Sequence, residues 1–201
     1  MVFLMALLWL GAPASANGIV VLGDSISAAY GIDKQQGWVA LLQDRLDGQC
    51  PGIEVNNASV SGETTAGGLS RLPPLLSPPP RLVVIELGGN DGLRGLSPQA
   101  MEQNLRRMIE SSREAGATVL LLGMLLPANY GEQYVNLFRQ TFARVAADTG
   151  VAFVPFFLES VAQQAELMQD DGIHPTAAAQ PVLLENAWPK LWPLIREHCN
   201  A

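Results

Sequence analysis

Short apolar runs alternate with segments of helical periodicity along most of this 201-residue chain. Five runs have the length and composition of buried strands, and they occupy residues 19–22, 53–57, 82–87, 117–122 and 151–154. After each run, apolar residues recur every three or four positions, as in amphipathic helices, at residues 38–46, 64–72, 98–115, 132–147 and 177–196. This alternation predicts an α/β fold of three layers (αβα), in which helices cover both faces of a five-stranded parallel sheet.

Local signals set some of the helix boundaries. Ser97 is an N-cap residue followed by a proline, and Thr64 or Thr65 caps the preceding helix. Five prolines within residues 73–80 predict a rigid connector instead of helix. Three prolines within residues 177–196 argue against a fully regular helix there.

The start of the chain has the features of a secretory signal peptide. Residues 2–10 are wholly apolar, and residues 14–16 (Ala-Ser-Ala) form a small-residue cleavage pattern. No basic residue precedes the apolar stretch, which departs from the usual pattern, and a buried first helix or a membrane anchor is the alternative. A membrane-spanning helix needs about 20 apolar residues, which is more than the stretch at residues 2–10 provides. We therefore predict a signal peptide at residues 1–16, one domain at residues 17–201, and export to a Gram-negative periplasm or secretion.

The charge of the chain limits the classes of partner that it can bind. The net charge is −7 and no Lys/Arg cluster is present, which argues against nucleic acid and anionic membranes as partners. We expect a monomer that binds a small molecule without stable membrane insertion.

Cys50 and Cys199 end the first and last predicted helices, and in an exported protein they either pair or remain two free thiols.

Four short polar blocks follow the predicted strands. They contain Ser25 in Gly-Asp-Ser-Ile-Ser, Gly62 in Ser-Gly-Glu-Thr, Asn90 in Gly-Gly-Asn-Asp, and Asp171 with His174 in Asp-Gly-Ile-His-Pro. Because the carboxyl ends of parallel strands meet at one edge of a sheet, these blocks are expected to converge there.

The residue types in these blocks suit acyl transfer. Ser25 is the candidate nucleophile, His174 its general base, and Asp171 the carboxylate that orients the imidazole. The negative oxygen of a tetrahedral intermediate needs donors, and the backbone N–H groups of Ser25 and Gly62 and the side-chain amide of Asn90 can supply them. The sequence therefore predicts a serine hydrolase.

Three neighbouring carboxylates receive other interpretations. Asp170 is an alternative to Asp171 as the orienting group. Asp24, beside the nucleophile, is interpreted as a structural hydrogen-bonding residue, because adjacent side chains rarely face the same way. Asp91 is interpreted as a helix cap or turn residue that supports the site.

With these four blocks the chain resembles the SGNH (GDSL) hydrolases over residues 18–193, although isoleucine stands where the family motif has leucine. The resemblance implies a flavodoxin-like SGNH hydrolase fold and an esterase that uses no metal and no cofactor. It further implies action on acyl-CoA and other thioesters, aryl esters and lysophospholipids through an acyl-enzyme on Ser25. It also implies that a loop after the fourth strand responds to the acyl chain. On that ground Leu126, Pro127 and Tyr130 are the candidate substrate-binding residues.

Two alternatives remain open at this point. One is a carbohydrate esterase of the same superfamily that removes acetyl groups. The other is a non-catalytic, flavodoxin-like binding module that holds a nucleotide or phosphate with its glycine-rich turns, although no Gly-x-Gly-x-x-Gly or phosphate-loop pattern follows the first strand.

Overall fold

A parallel sheet forms the centre of the structure, a computed structural model that describes residues 18–199. The strands are β1 (Ile19–Gly23), β2 (Val55–Asn57), β3 (Leu82–Glu86), β4 (Thr118–Leu122) and β5 (Ala152–Val154). They are arranged in the order β2-β1-β3-β4-β5, and every pairing is parallel. The predicted signal peptide, residues 1–16, lies outside the described residues.

Helices cover both faces of this sheet. They are α1 (Trp38–Gln49), α2 (Thr65–Leu75), α3 (Gly89–Leu93), α4 (Pro98–Glu114), α5 (Glu132–Thr149) and α6 (Gln180–Ile195). Helices α1 and α6 pack together on one face, and α2, α4 and α5 pack side by side on the other. The predicted three-layer α/β fold is confirmed. Within the part of the chain described, no helix is both long and apolar enough to cross a membrane.

The central strands are apolar on both faces because both faces are covered. All residues of β1 and β3 are buried, as expected for parallel strands packed between two helical layers. In the pairing of these strands Ile19 lies opposite Leu82 and Gly23 opposite Glu86. The two strands therefore end level with each other at the same edge of the sheet.

Two expectations about prolines are wrong. Helix α2 continues through Pro73 and Pro74, so the connector begins later than the sequence suggested. Both prolines fall in its last turn, where each lacks the N–H that would donate to the carbonyl four residues earlier, and the helix ends one residue after Pro74. Helix α6 is continuous through Pro189 and Pro193. Its buried face, which comprises Leu183, Leu184, Ala187, Leu191 and Ile195, offsets the missing N–H groups through packing.

A disulfide joins the ends of the first and last helices. Cys50 and Cys199 are bonded across 149 residues of sequence. The same two helices are also linked at their other ends, where the backbone N–H of Trp38 donates to Gln180 Oε1 at 3.0 Å. Of the two alternatives for the cysteines, the structure has the disulfide. It lies at the edge of the sheet where the strands begin.

We expect a Cys50→Ala/Cys199→Ala variant to be less stable than the parent protein by about 2–5 kcal/mol, since the crosslink closes a long loop in the unfolded chain. Its kcat should be unchanged, because the disulfide is at the opposite edge from the polar blocks. Urea denaturation measures the first and ester hydrolysis the second. Two titratable thiols in the oxidised parent protein would contradict the assignment.

Candidate active site

Ser25 lies in a tight turn directly after β1. The turn is closed by two backbone hydrogen bonds, from Ala28 N–H to the Asp24 carbonyl (3.0 Å) and from Tyr30 N–H to the Ser25 carbonyl (3.0 Å). Ser25 is 9% exposed. The turn thus presents one hydroxyl at the carboxyl edge of the sheet while most of its surroundings are buried.

The side chains of Ser25, His174 and Asp171 form a continuous hydrogen-bonded chain. The Ser25 hydroxyl is 2.9 Å from His174 Nε2, and His174 Nδ1 is 2.6 Å from Asp171 Oδ2. Because a carboxylate only accepts hydrogen bonds, the imidazole proton resides on Nδ1. Nε2 is then left to accept from the serine hydroxyl.

Asp171 is held as an anion by the loop that carries it. Hydrogen bonds lower the pKa of Asp171 to about 2, with the largest effect from the His174 side chain and further contributions from the backbone N–H groups of His174 and Ile173. Those N–H groups donate to Asp171 Oδ1 at 3.0 and 2.9 Å. Asp171, and not its neighbour Asp170, is therefore the carboxylate that contacts the imidazole.

The loop that carries His174 is fastened to the nucleophile turn. Gln169 Nε2 donates to the carbonyls of Tyr30 (2.8 Å) and Pro175 (3.0 Å), and the Gln169 N–H donates to the His174 carbonyl at 2.7 Å. The exposed ring of Tyr30 lies against the imidazole, with centroids 4.5 Å apart. The position of the imidazole is therefore set by side chains as well as by its own loop.

Asn90 reaches the turn from the strand next to β1. It is the second residue of α3, which begins after Gly88, a residue with the left-handed φ of 117°. Its Nδ2 donates to Asp24 Oδ2 at 3.0 Å, while Asp24 Oδ1 accepts from the Ile26 N–H at 3.0 Å. Asp24 is thus a structural hydrogen-bonding residue, as the sequence predicted.

Asp91 supports the site from behind. Its carboxylate accepts from the Thr65 N–H at 2.8 Å and from the Thr65 hydroxyl at 2.5 Å. These contacts tie α3, which carries Asn90, to the first residue of α2. Thr64 is the N-cap of α2, and its side chain accepts from the Gly67 N–H.

Gly62 lies in the loop that follows β2. Its φ of 78° is in the left-handed region, where glycine is favoured. The loop is attached to the end of β1 by a hydrogen bond from the Val60 N–H to the Gly23 carbonyl (3.1 Å). On its other side, Arg94 Nη2 donates to the Gly62 carbonyl at 2.8 Å. The four predicted blocks therefore converge at one edge of the sheet.

An apolar cleft of about 370 Å³ opens beside this edge. Its lining is almost wholly apolar and comprises Ile26, Gly89, Leu93, Met124, Leu125, Leu126, Pro127, Phe156, Leu158, Ala162, Gln163, Met168, Gly172 and Ile173. Ile26 follows the serine, Gly89 precedes Asn90, and Ile173 precedes His174 in the sequence. The cleft is thus continuous with the hydrogen-bonded residues.

Two of the three predicted substrate-binding residues lie in this lining. Leu126 and Pro127 do, but Tyr130 does not. The Tyr130 hydroxyl instead donates to the Leu93 carbonyl at 3.2 Å. Tyr130 therefore attaches its loop to α3, and its role in substrate binding stays a prediction.

Sequence reasoning missed much of the rest of the cleft. Phe156, Leu158 and Ala162 come from the segment after β5, whose composition alone gave no sign of a binding role. Glu86 was also missed, although an acidic residue inside an otherwise apolar strand is a signal that could have revealed it.

The described part of the chain contains no cluster of side chains suited to bind a metal ion. Residues 18–199 bring no three His, Cys, Asp or Glu side chains together in a way that could hold an ion. The cysteines are consumed by the disulfide, and Asp171 and His174 are bonded to each other.

Comparison with known sequences gives relatives that all belong to one class of hydrolase. The profile of the GDSL-like Lipase/Acylhydrolase family matches residues 21–181. Esterase TesA of Pseudomonas aeruginosa is 56% identical over 192 residues, which cover 95% of this chain and 96% of that protein. Thioesterase 1/protease 1/lysophospholipase L1 of Escherichia coli is 43% identical, with 96% and 92% covered. An arylesterase of Vibrio mimicus is 42% identical, with 87% and 88% covered.

Solved structures agree with these relatives. The crystal structure of TesA superposes with a TM-score of 0.85 at 57% identity, covering 88% of this chain and 99% of that one. The esterase EstA from Pseudoalteromonas sp., inhibited by monoethylphosphonate, superposes with a TM-score of 0.84 at 40% identity, covering 90% and 99%. Sequence, fold and convergence of the four blocks together show that this chain belongs to the GDSL-like lipase/acylhydrolase family.

Proposed function

We propose that this protein is a serine esterase and thioesterase that hydrolyses carboxylic esters and thioesters with fatty acyl groups. The observation that carries the proposal is the hydrogen-bonded chain from Ser25 through His174 to Asp171, which ends beside an apolar cleft. The names of the relatives, which include esterase, thioesterase, lysophospholipase and arylesterase, support the same reaction class. We extend those substrate classes to this chain.

The first half of the reaction acylates the serine. Ser25 Oγ attacks the acyl carbonyl carbon while its proton passes to His174 Nε2, giving a tetrahedral intermediate and an imidazolium. Asp171 stabilises that imidazolium, since its low pKa keeps it charged. The imidazolium then returns the proton to the departing alcohol or thiol as the bond to it breaks, which leaves the acyl group esterified to Ser25.

The negative oxygen of the intermediate requires donors during this step. We assign the backbone N–H groups of Ser25 and Gly62 and the amide of Asn90 to this role. An amide has two N–H bonds, and Asn90 gives one of them to Asp24. That contact fixes the amide plane, so the second N–H has a set direction before substrate arrives.

The second half of the reaction releases the acid. A water molecule loses a proton to His174 Nε2 and attacks the acyl carbonyl, and collapse of the second tetrahedral intermediate returns the proton to Ser25 Oγ. The products are a carboxylic acid and the free serine. No metal or cofactor is required by any of these steps.

The lining of the cleft favours a fatty acyl group over the two alternatives. An acetyl group would leave most of an apolar volume of about 370 Å³ in water, whereas a longer chain gains about 0.8 kcal/mol for each methylene it buries. A sugar, by contrast, would need several polar partners, and Gln163 is the single polar side chain of this lining. A non-catalytic binding module would have no use for a serine hydroxyl bonded to an imidazole.

We also propose that the chain is exported and acts as a monomer. The disulfide between Cys50 and Cys199 supports an oxidising compartment. Residues 1–16 are then the cleaved signal peptide, and residues 17–201 form the mature domain. The active site is assembled from residues of one chain, so it does not depend on a second copy.

Ser25→Ala should lose ester hydrolysis and covalent labelling by a fluorophosphonate probe, because the attacking oxygen is gone. The fold should be retained, as circular dichroism will report. Ser70→Ala, in which an exposed serine of α2 is changed, serves as the matched control and should label like the parent. Labelling of Ser25→Ala would contradict the assignment of the nucleophile.

Asn90→Ala should lower kcat by about 10²–10³-fold with little change in KM, which is typical for the loss of one oxyanion donor. Steady-state kinetics on an octanoyl ester measure both constants. A loss of less than about threefold would remove Asn90 from this role.

The value of kcat/KM should fall as the pH drops, because protonated imidazole cannot accept the serine proton. Asp171 has a pKa of about 2, so it stays charged above about pH 4 and does not cause the loss. Asp171→Asn should therefore lower kcat throughout the profile, whereas the neighbouring Asp170→Asn should not. An equal loss in both variants would restore Asp170 as a candidate.

The parent protein should hydrolyse octanoyl esters with a higher kcat/KM than acetyl esters. Ala162→Phe, which fills part of the cleft, should lower the octanoyl-to-acetyl ratio by about tenfold. Ala147→Phe, on the exposed face of α5, is the control and should leave the ratio unchanged. A preference of the parent protein for acetyl esters would favour the carbohydrate esterase alternative.

A further inference from the structure

Glu86 is a carboxylic acid in the interior of the protein that the reaction steps above do not use. It is the last residue of β3 and is fully buried, with Ile85 before it and Leu87 after it also buried. An acidic group in such a place costs free energy unless its contacts repay the loss of water. The contacts of Glu86 all lead to the nucleophile turn.

One oxygen of Glu86 holds both sides of that turn. Oε2 accepts from the Asp24 N–H at 3.2 Å and from the Ser27 hydroxyl at 2.7 Å. The Ser27 oxygen in turn accepts from Trp38 Nε1 at 3.1 Å. Because an indole N–H only donates, the hydroxyl proton of Ser27 points to Glu86. Glu86 Oε2 is therefore a double acceptor for the residues that flank Ser25.

The polypeptide leaves no spare room at this contact. A Cβ atom at Gly23 would lie 2.7 Å from Glu86 Oε2 and 2.7 Å from the Ser27 Cβ. Glycine at this position thus permits the carboxyl group to sit directly beneath the turn. The contact is close enough to transmit a change at Glu86 to the backbone around Ser25.

The contact continues through Asp24 to the oxyanion donor. Asp24 is 2% exposed, and its two oxygens accept from the Ile26 N–H and from Asn90 Nδ2. Both partners are donors, so Asp24 must present two acceptor oxygens, as a carboxylate does. The orientation of the Asn90 amide is therefore set by the position of Asp24, and Glu86 holds the backbone of Asp24.

Burial affects the ionisation of both acids. Burial raises the pKa of Glu86 well above its usual value, and the nearby charge of Asp24 raises it further. Burial also raises the pKa of Asp24, to about 6, against the opposing hydrogen bonds from Ile26 and Asn90. Within residues 18–199, Glu86 Oε1 has no hydrogen-bond partner. Burial thus favours the neutral form of Glu86, and Oε2 can accept both of its hydrogen bonds whether or not the acid is charged.

We propose that Glu86 is a positioning residue for ester hydrolysis: anchored by the Ser27 hydroxyl, it holds the backbone of Asp24 and, through Asp24, aims the amide of Asn90 at the oxyanion. The inference rests on the proposed function, since it concerns the same reaction. It predicts that Glu86 acts through the acceptor oxygen Oε2 and that its charge is not needed.

Glutamine tests this distinction, because its carbonyl oxygen can accept both hydrogen bonds without a charge. Glu86→Gln should keep kcat for an octanoyl ester within about threefold of the parent, whereas Glu86→Leu, which has no acceptor, should lower kcat by about 10- to 100-fold with KM nearly unchanged. Val84→Ala, a core change two residues earlier on the same strand, is the control. It should lower the melting temperature without lowering kcat.

A double-variant cycle separates positioning from a general loss of stability. If Glu86 acts through Asn90, then Glu86→Leu should cost less than about threefold in an Asn90→Ala background. Should Glu86→Leu fail to fold, Ser27→Ala removes one partner of Oε2 and should lower kcat by about tenfold in the parent but not beside Asn90→Ala.

Three results would overturn the inference. The first is an unchanged kcat in Glu86→Leu, or in Ser27→Ala if Glu86→Leu does not fold. The second is an equal loss of kcat with and without Asn90, and the third is a Glu86→Gln protein as impaired as Glu86→Leu. Loss of the proposed function itself would appear differently. In that case the parent protein would show no Ser25-dependent ester hydrolysis at all.

Discussion

The pairing of β1 with β3 is the constraint on which the rest of the site depends. Its register places Gly23 opposite Glu86, so the two strands end at the same level. The turn that holds Ser25 and the short helix that holds Asn90 therefore start side by side. A shift of one residue in this pairing would exchange the faces on which their side chains project and would separate Asn90 from Asp24.

Polar groups on two sides of Ser25 do different work. On the open side, Asp171 and His174 are partly exposed, the pKa of Asp171 is low, and in the proposed mechanism His174 transfers the protons. On the buried side, Glu86 and Asp24 accept hydrogen bonds from fixed donors and keep the turn and the amide in place. Proton transfer needs access to substrate and water, whereas orientation benefits from a dry and closely packed setting.

Much of this could be predicted from the sequence, for definite reasons. Strands buried on both faces are continuously apolar, so residues 82–87 were visible as a strand. Ser25, Asn90, Asp171 and His174 each follow a strand, so their convergence follows from the parallel topology. The left-handed conformation of Gly62 also fits a residue chosen for its backbone freedom.

Other features depend on distances that no pattern along the chain contains. The apolar cleft combines residues from five separate segments. Tyr130 is not among them, and its hydroxyl donates to the Leu93 carbonyl instead. Helix α6 passes through two prolines because tertiary packing outweighs local preference. The role of Glu86 was not visible in the sequence, because its side chain contacts Asp24 and Ser27, which are distant along the chain.

Trapping the acyl-enzyme on Ser25 is the most direct test of the proposed mechanism. Parent protein mixed with an octanoyl p-nitrophenyl ester and quenched in acid within milliseconds can be digested and mapped by mass spectrometry. We expect one octanoyl group on the peptide that contains Ser25, formed together with a burst of p-nitrophenol. An octanoyl group on another residue, or turnover at full rate with no acylated peptide at any time, would contradict it.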